Sequence, residues 1–85
     1  MAEHDLREKL LGIVEELIAK GPGYAQESVV LREAAERLQI TGNLQREQAL
    51  LTCWHNLFRE GILSWGYDVD NPSAPFFHKS EKVEI

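Results

Sequence analysis

The sequence predicts a mainly α domain closed by a small β-hairpin, an α+β fold of three helices and a C-terminal two-stranded hairpin. Three observations carry this. Apolar residues recur at helical spacing in three stretches, about 2–20, 28–38 and 44–60. Glycine and proline punctuate those stretches at Gly21-Pro22-Gly23, Gly42 and Gly61. Past Gly61 the pattern alternates with a period of two, breaks at a proline-bearing turn and resumes, giving a hairpin over about 62–82. With 85 residues the chain, 1–85, has the length of a single domain.

The first helix places Leu6, Leu10, Ile13, Val14 and Leu17 on one stripe, with Leu11 and Ile18 on its flanks. Its other face carries Glu3, Asp5, Glu8, Glu15 and Glu16 against Arg7, Lys9 and Lys20, so much of the chain's acidity sits there. Tyr24 to Glu27 is a short connector that can supply a small first strand. The second helix starts at Ser28, the expected N-cap, and shows Leu31, Ala34, Ala35 and Leu38 at i, i+3, i+4 and i+7. Residues 39–43 form the turn, with Ile40 plugging the angle between helices and Asn43 capping the third. On a helical wheel the third helix gathers Leu50, Leu51, Trp54, Leu57 and Phe58 in one sector. Cys53 lies at that sector's border and reads as a buried thiol. Glu47 projects inward on the wheel, so the first turn is frayed or favours the anion through the helix dipole. In the hairpin, Leu63, Trp65 and Tyr67 share one side, and Phe76 and Phe77 cannot both face inward on one strand. The predicted core is Leu10, Ile13, Val14, Leu17, Leu31, Ala35, Leu38, Leu50, Leu51, Trp54, Leu57 and Phe58.

Composition narrows the function classes. One cysteine permits no intrachain disulfide, which fits a reducing compartment, and the cytoplasm is the expected location. No apolar run approaches the roughly 18 residues that span a bilayer. His4, His55 and His78 are too scattered for a metal site, and no cofactor is expected. Glycine-rich phosphate loops, nucleophile elbows and His-Glu-x-x-His patterns are missing, so the chain does not read as an enzyme. The net charge of −5 opposes strong non-specific binding to phosphate backbones.

LREAAERLQI, followed by a longer amphipathic helix and then REGILSWGYD, resembles the helix-turn-helix and second strand of bacterial winged-helix proteins. The closing FFHKSEKV is similar to that family's return strand. The resemblance covers nearly the whole chain and rests on element order. It implies a winged helix-turn-helix whose third helix enters the major groove of double-stranded DNA in transcriptional regulation. The chain departs from the family at Lys79, where an aliphatic residue is usual, and at Val83, where glycine is common. The DNPSAPFF wing also lacks the Arg and Lys that many DNA-binding wings carry.

The polar face of the third helix has side chains suited to base edges. Gln and Asn pair with adenine, Arg with guanine, and Thr with either or with a thymine methyl. The candidate DNA-binding residues are Gln45, Gln48, Thr52, Asn56 and Arg59, with Arg46 and His55 flanking them toward the phosphates. The alternative is a non-enzymatic protein-interaction module that holds a protein partner by the acidic first helix or the aromatic hairpin. The late aromatic residues can also stack single-stranded bases, although core packing accounts for Trp54 and Phe58. Leu11 and Ile18, seven apart, offer a stripe for a homodimer through the first helix or belong to a wide core face.

Overall fold

The computed structural model describes residues 3–81, with side chains from Asp5 onward. The expected helix start at Ala2, the strand end near Lys82 and the departure at Val83 lie outside the described residues. The element order is α1 (Glu3–Lys20), β1 (Tyr24–Gln26), α2 (Glu27–Arg37), α3 (Leu44–Arg59), β2 (Leu63–Trp65) and β3 (Phe76–Lys79). The three helices fall where apolar periodicity puts them.

The ends of the helices follow backbone chemistry. Asn43 caps α3 by accepting the Arg46 N–H at 3.1 Å. Glu47 reaches back to accept the Gly42 N–H at 2.7 Å, which explains its inward projection. At the other end Gly61 takes φ +78, its N–H bonds Phe58 O, and the Ile62 N–H bonds Leu57 O. That pair of bonds closes the last carbonyls of α3, and glycine meets the left-handed conformation without strain. The same bonding ends α2, where the Gln39 N–H bonds Glu36 O and the Ile40 N–H bonds Ala35 O. There the left-handed residue is Gln39, at φ 56.

Two expectations for α2 are corrected. Ser28 is not the N-cap: the helix begins at Glu27 with Gln26 in the cap position and no side-chain cap bond. The reason is that β1 runs straight into α2. The Glu27 N–H is taken by Pro75 O at 2.8 Å, and its carboxylate accepts the Trp54 Nε1–H at 2.9 Å. The buried stripe is also rotated by one residue, to Val30 and Ala34, leaving Leu31, Ala35 and Leu38 half-buried at the rim.

The β part is larger than a hairpin. β1, β3 and β2 form one antiparallel sheet in that order, three strands where two were expected. Ala25 and Trp65 pair with Phe77 from opposite sides, and Leu63 pairs with Lys79. Three residues cannot display a period, so β1 is defined by its pairing with β3.

The core runs between α1, α2, α3 and the inner face of the sheet. It holds Leu6, Leu10, Ile13 and Val14, then Val30, Ala34 and Ile40, then Leu50, Cys53, Trp54 and Leu57, and finally Leu63 and Phe77. Trp54, fully buried, meets Phe77 edge-on at 4.8 Å and Phe58 edge-on at 5.0 Å. Phe58 in turn stacks on Trp65 at 4.0 Å and sits half-buried. Leu51, expected in the core, is 41% exposed. One residue past Leu50 turns the helix by about 100°, which carries Leu51 out of the core stripe to the α2 side. Leu17, also expected inside, is half-buried, as are Leu11 and Ile18, and all three pack against the core.

Tyr67 is corrected too. Gly66 adopts φ +93, and a Cβ there would lie 2.6 Å from the Pro72 carbonyl carbon. This left-handed residue breaks the alternation after Trp65. Tyr67 therefore swings away from the side of Leu63 and Trp65 and stacks on Tyr24 at 4.3 Å, with Phe76 edge-on at 5.0 Å.

Candidate nucleic-acid interface

The first turn of α3, fixed by Asn43, and its last turn, fixed by Gly61, hold sixteen residues as one rigid helix. Its inner stripe is spent on the core, so the outer stripe is set by default. Gln45, Arg46, Gln48, Thr52, His55 and Arg59 are exposed on α3, and Asn56 is half-buried. Gln45, Gln48, Thr52, Asn56 and Arg59 follow one another at spacings of three and four, which aligns them along about 21 Å of helix. No other segment among the described residues covers this face enough to bury it.

The hydrogen bonding refines two roles. The Thr52 hydroxyl donates to Gln48 O at 3.0 Å, so it faces a ligand as an acceptor with a methyl group. Arg46 lines a small cleft with Leu6, Ile40 and Ala49, on the α1 side of the outer stripe. On the opposite flank, Arg32 of α2 lines an open groove of ≈ 420 Å³ with Leu31, Ala35 and Leu51. Arg32 lies outside the stripe of α3 that the sequence marks. Its signal was a cation on the exposed side of the second helix, which becomes meaningful only once α2 and α3 are docked.

Electrostatics separates this face from the rest of the molecule. Arg7 pairs with Glu60 at 2.7 Å, Lys79 with Glu15 at 2.6 Å, and Lys20 with Glu16 at 3.4 Å. Arg37 binds Glu16 and Glu33. The Glu60 carboxylate raises the Arg7 pKa, and those of Glu16 and Glu33 raise that of Arg37. Arg37 in return holds the Glu16 carboxyl below its usual range. Among the described residues, Lys9, Arg32, Arg46 and Arg59 stand outside these pairs. Two of the four belong to α3, and a third borders it. The lone carboxylate of α3, Glu47, is turned back onto the Gly42 N–H.

The loop between β2 and β3 has the opposite character. Asp68 accepts both the Asn71 N–H and its side-chain amide, closing a tight turn, with Val69 at the tip 95% exposed. Asp68 and Asp70 are exposed, and no Lys or Arg lies between Gly66 and His78. Lys79, the departure noted in the sequence, is on the row of Leu63 and reaches past the sheet to Glu15.

Comparison of the chain with family models, with curated proteins and with solved structures finds no match. No helix among the described residues is long and apolar enough to cross a membrane.

Proposed function

We propose that this chain is a non-enzymatic, winged-helix DNA-binding module of transcriptional-regulator type that reads the major groove with α3. The observation that carries the reading is the outer stripe of α3: amide, hydroxyl and guanidinium groups at helical spacing, with its only carboxylate withdrawn into the helix start. The strand order β1-β3-β2 around three helices accords with it. Arg32 and Arg46 on either flank suit the two phosphate rows that border a groove.

The acidic β2–β3 loop restricts phosphate contact to the helices. Two arginines, Arg32 and Arg46, then supply it, and the affinity should fall with salt at a log–log slope of only about −2. A homodimer through α1 would double the contacts and match two half-sites. In solution this gives a dimer by sedimentation; because Leu11 also packs against the core, its dissociation by Leu11→Glu counts only where circular dichroism shows the chain still folded.

The test is a gel shift against duplex fragments at low salt, repeated with competitor. Arg59→Ala and Asn56→Ala are expected to relax sequence preference by about 1–3 kcal/mol for each base contact. Arg46→Ala is expected to weaken all sequences alike. Duplex binding that ignores all three substitutions, or no duplex binding at low salt, defeats the proposal.

A further inference from the structure

The outer face of the sheet, opposite the core, carries an aromatic cluster that neither the core nor the α3 face uses. Tyr24 and Tyr67 stack at 4.3 Å with an interplanar angle of 17°, and Phe76 meets both rings edge-on. Tyr67 is 36% exposed, and Tyr24, Phe76 and His78 are half-buried. Beside them Tyr24, Tyr67, His78 and Glu81 line an open groove of ≈ 580 Å³ that extends to the end of α1 at Ile18. The His78 ring is fixed: its Nδ1 lies 2.7 Å from Gly66 O, and since a carbonyl only accepts, Nδ1 is the donor.

Among the described residues, the charges on and beside this groove that stand outside ion pairs are negative. Lys79, its one basic wall residue, is neutralised by Glu15. Glu81 on the wall, and Asp68 and Asp70 in the loop that follows Tyr67, pair with no cation among the described residues. An aromatic surface bordered by carboxylates repels phosphates and attracts cations twice over, through the ring quadrupole and through the carboxylates.

We infer that the outer sheet face is a docking surface for a basic peptide segment of a protein partner, with an arginine side chain laid against the Tyr24–Tyr67 pair and its charge facing Glu81, and with the acidic β2–β3 loop adding to the attraction. This surface lies on a different element from α3, so the module holds a protein by its sheet independently of what its third helix binds.

Fluorescence anisotropy with a labelled peptide of alternating glycine and arginine tests this on the full chain. Matched glycine–glutamate and glycine–proline peptides and a single-stranded oligothymidylate serve as comparators. The expected result is saturable binding of the arginine peptide alone, weakened about fivefold by Tyr67→Ala. It weakens further in the doubly neutralised Asp70→Asn, Glu81→Gln chain and is unaffected by Arg59→Ala. Because Tyr67→Ala also removes a stacking partner, amide chemical-shift mapping on the unaltered chain provides a second readout. The shifts are expected at residues 24, 67, 76 and 78. Equal binding of any comparator, shifts confined to the acidic face of α1, or no saturable binding overturns the inference.

Discussion

Replacing Trp54 probes the centre of the fold. The indole is fully buried and touches Phe58, Trp65 and Phe77 through edge-on ring contacts. Trp54→Ala removes that ring and leaves a cavity, at a cost of about 3–5 kcal/mol. A domain of 85 residues has a total stability of about 4–13 kcal/mol, so the loss approaches the whole of it. Trp54→Phe keeps an aromatic ring but deletes the Nε1 donor to Glu27 together with part of the buried indole volume. A hydrogen bond to a charged group is worth about 1.5–3 kcal/mol, and the half-exposed Glu27 can recover part of it from water, so the bond accounts for about 1–2 kcal/mol and the lost ring volume adds to it. A double-mutant cycle of Trp54→Phe with Glu27→Ala should return a coupling of about 1 kcal/mol. Urea unfolding reads all four chains, with Trp65 as the remaining fluorophore. A loss below about 1 kcal/mol for Trp54→Ala would be incompatible with a buried indole at this site. Zero coupling in the cycle would remove Glu27 as the partner.

Three further outcomes follow from particular backbone and charge arrangements. Gly66→Ala forces a Cβ against the Pro72 backbone at a left-handed φ, so the thermal midpoint should fall sharply while α-helical circular dichroism of the folded fraction is kept; an unchanged midpoint contradicts the turn. Gln39→Gly relieves a non-glycine residue at φ 56 and should gain about 0.5–1 kcal/mol in urea unfolding, the left-handed strain less the extra chain entropy. Arg37→Ala removes the main cause that lowers the Glu16 pKa from its ordinary value of 4.5. A depressed carboxylate contributes stability above that value and loses it as pH falls through the folded pKa, so the small difference in midpoint between the two chains should close below about pH 4.5. Both groups are on the surface, and added salt should shrink the same difference at neutral pH.

Much of the fold was legible because its signals are local. The Asn43 cap and the Gly61 stop each depend on residues within a few positions of one another and both stand, as do the stripes of α1 and α3 apart from Leu17 and Phe58 at the rim and Leu51 outside it. What the sequence withheld depends on partners distant along the chain. β1 exists through Phe77, more than fifty residues later, and the start of α2 is fixed by Pro75 and Trp54. Tyr67 kept its predicted side only as far as strict alternation ran, and a single glycine conformation reversed it. Leu51 and the phase of α2 missed by one step of the wheel, because the sequence does not say which of two adjacent apolar residues meets the neighbouring helix. The candidate residues of α3 were readable for the same reason as its core stripe, being its complement on one helix. Arg32 was not, since its place beside α3 depends on how two helices dock. The outer aromatic cluster was half visible: two adjacent phenylalanines required one to face outward, but its companions come from β1 and from beyond the Gly66 kink.

The sheet order also sets when this sheet can close. The middle strand, β3, is the last element among the described residues, while the strands it joins end at Gln26 and Trp65. Neither outer strand has a neighbour until Phe76–Lys79 has emerged, so a chain growing on the ribosome carries its helices for a time without a sheet to close them. During that interval the inner face that Phe77 will cover, including the Trp54 indole, stays open to chaperones and to premature contacts with other nascent chains. The sheet then closes in one step, since the same four residues supply both pairings and the aromatic lid of the core.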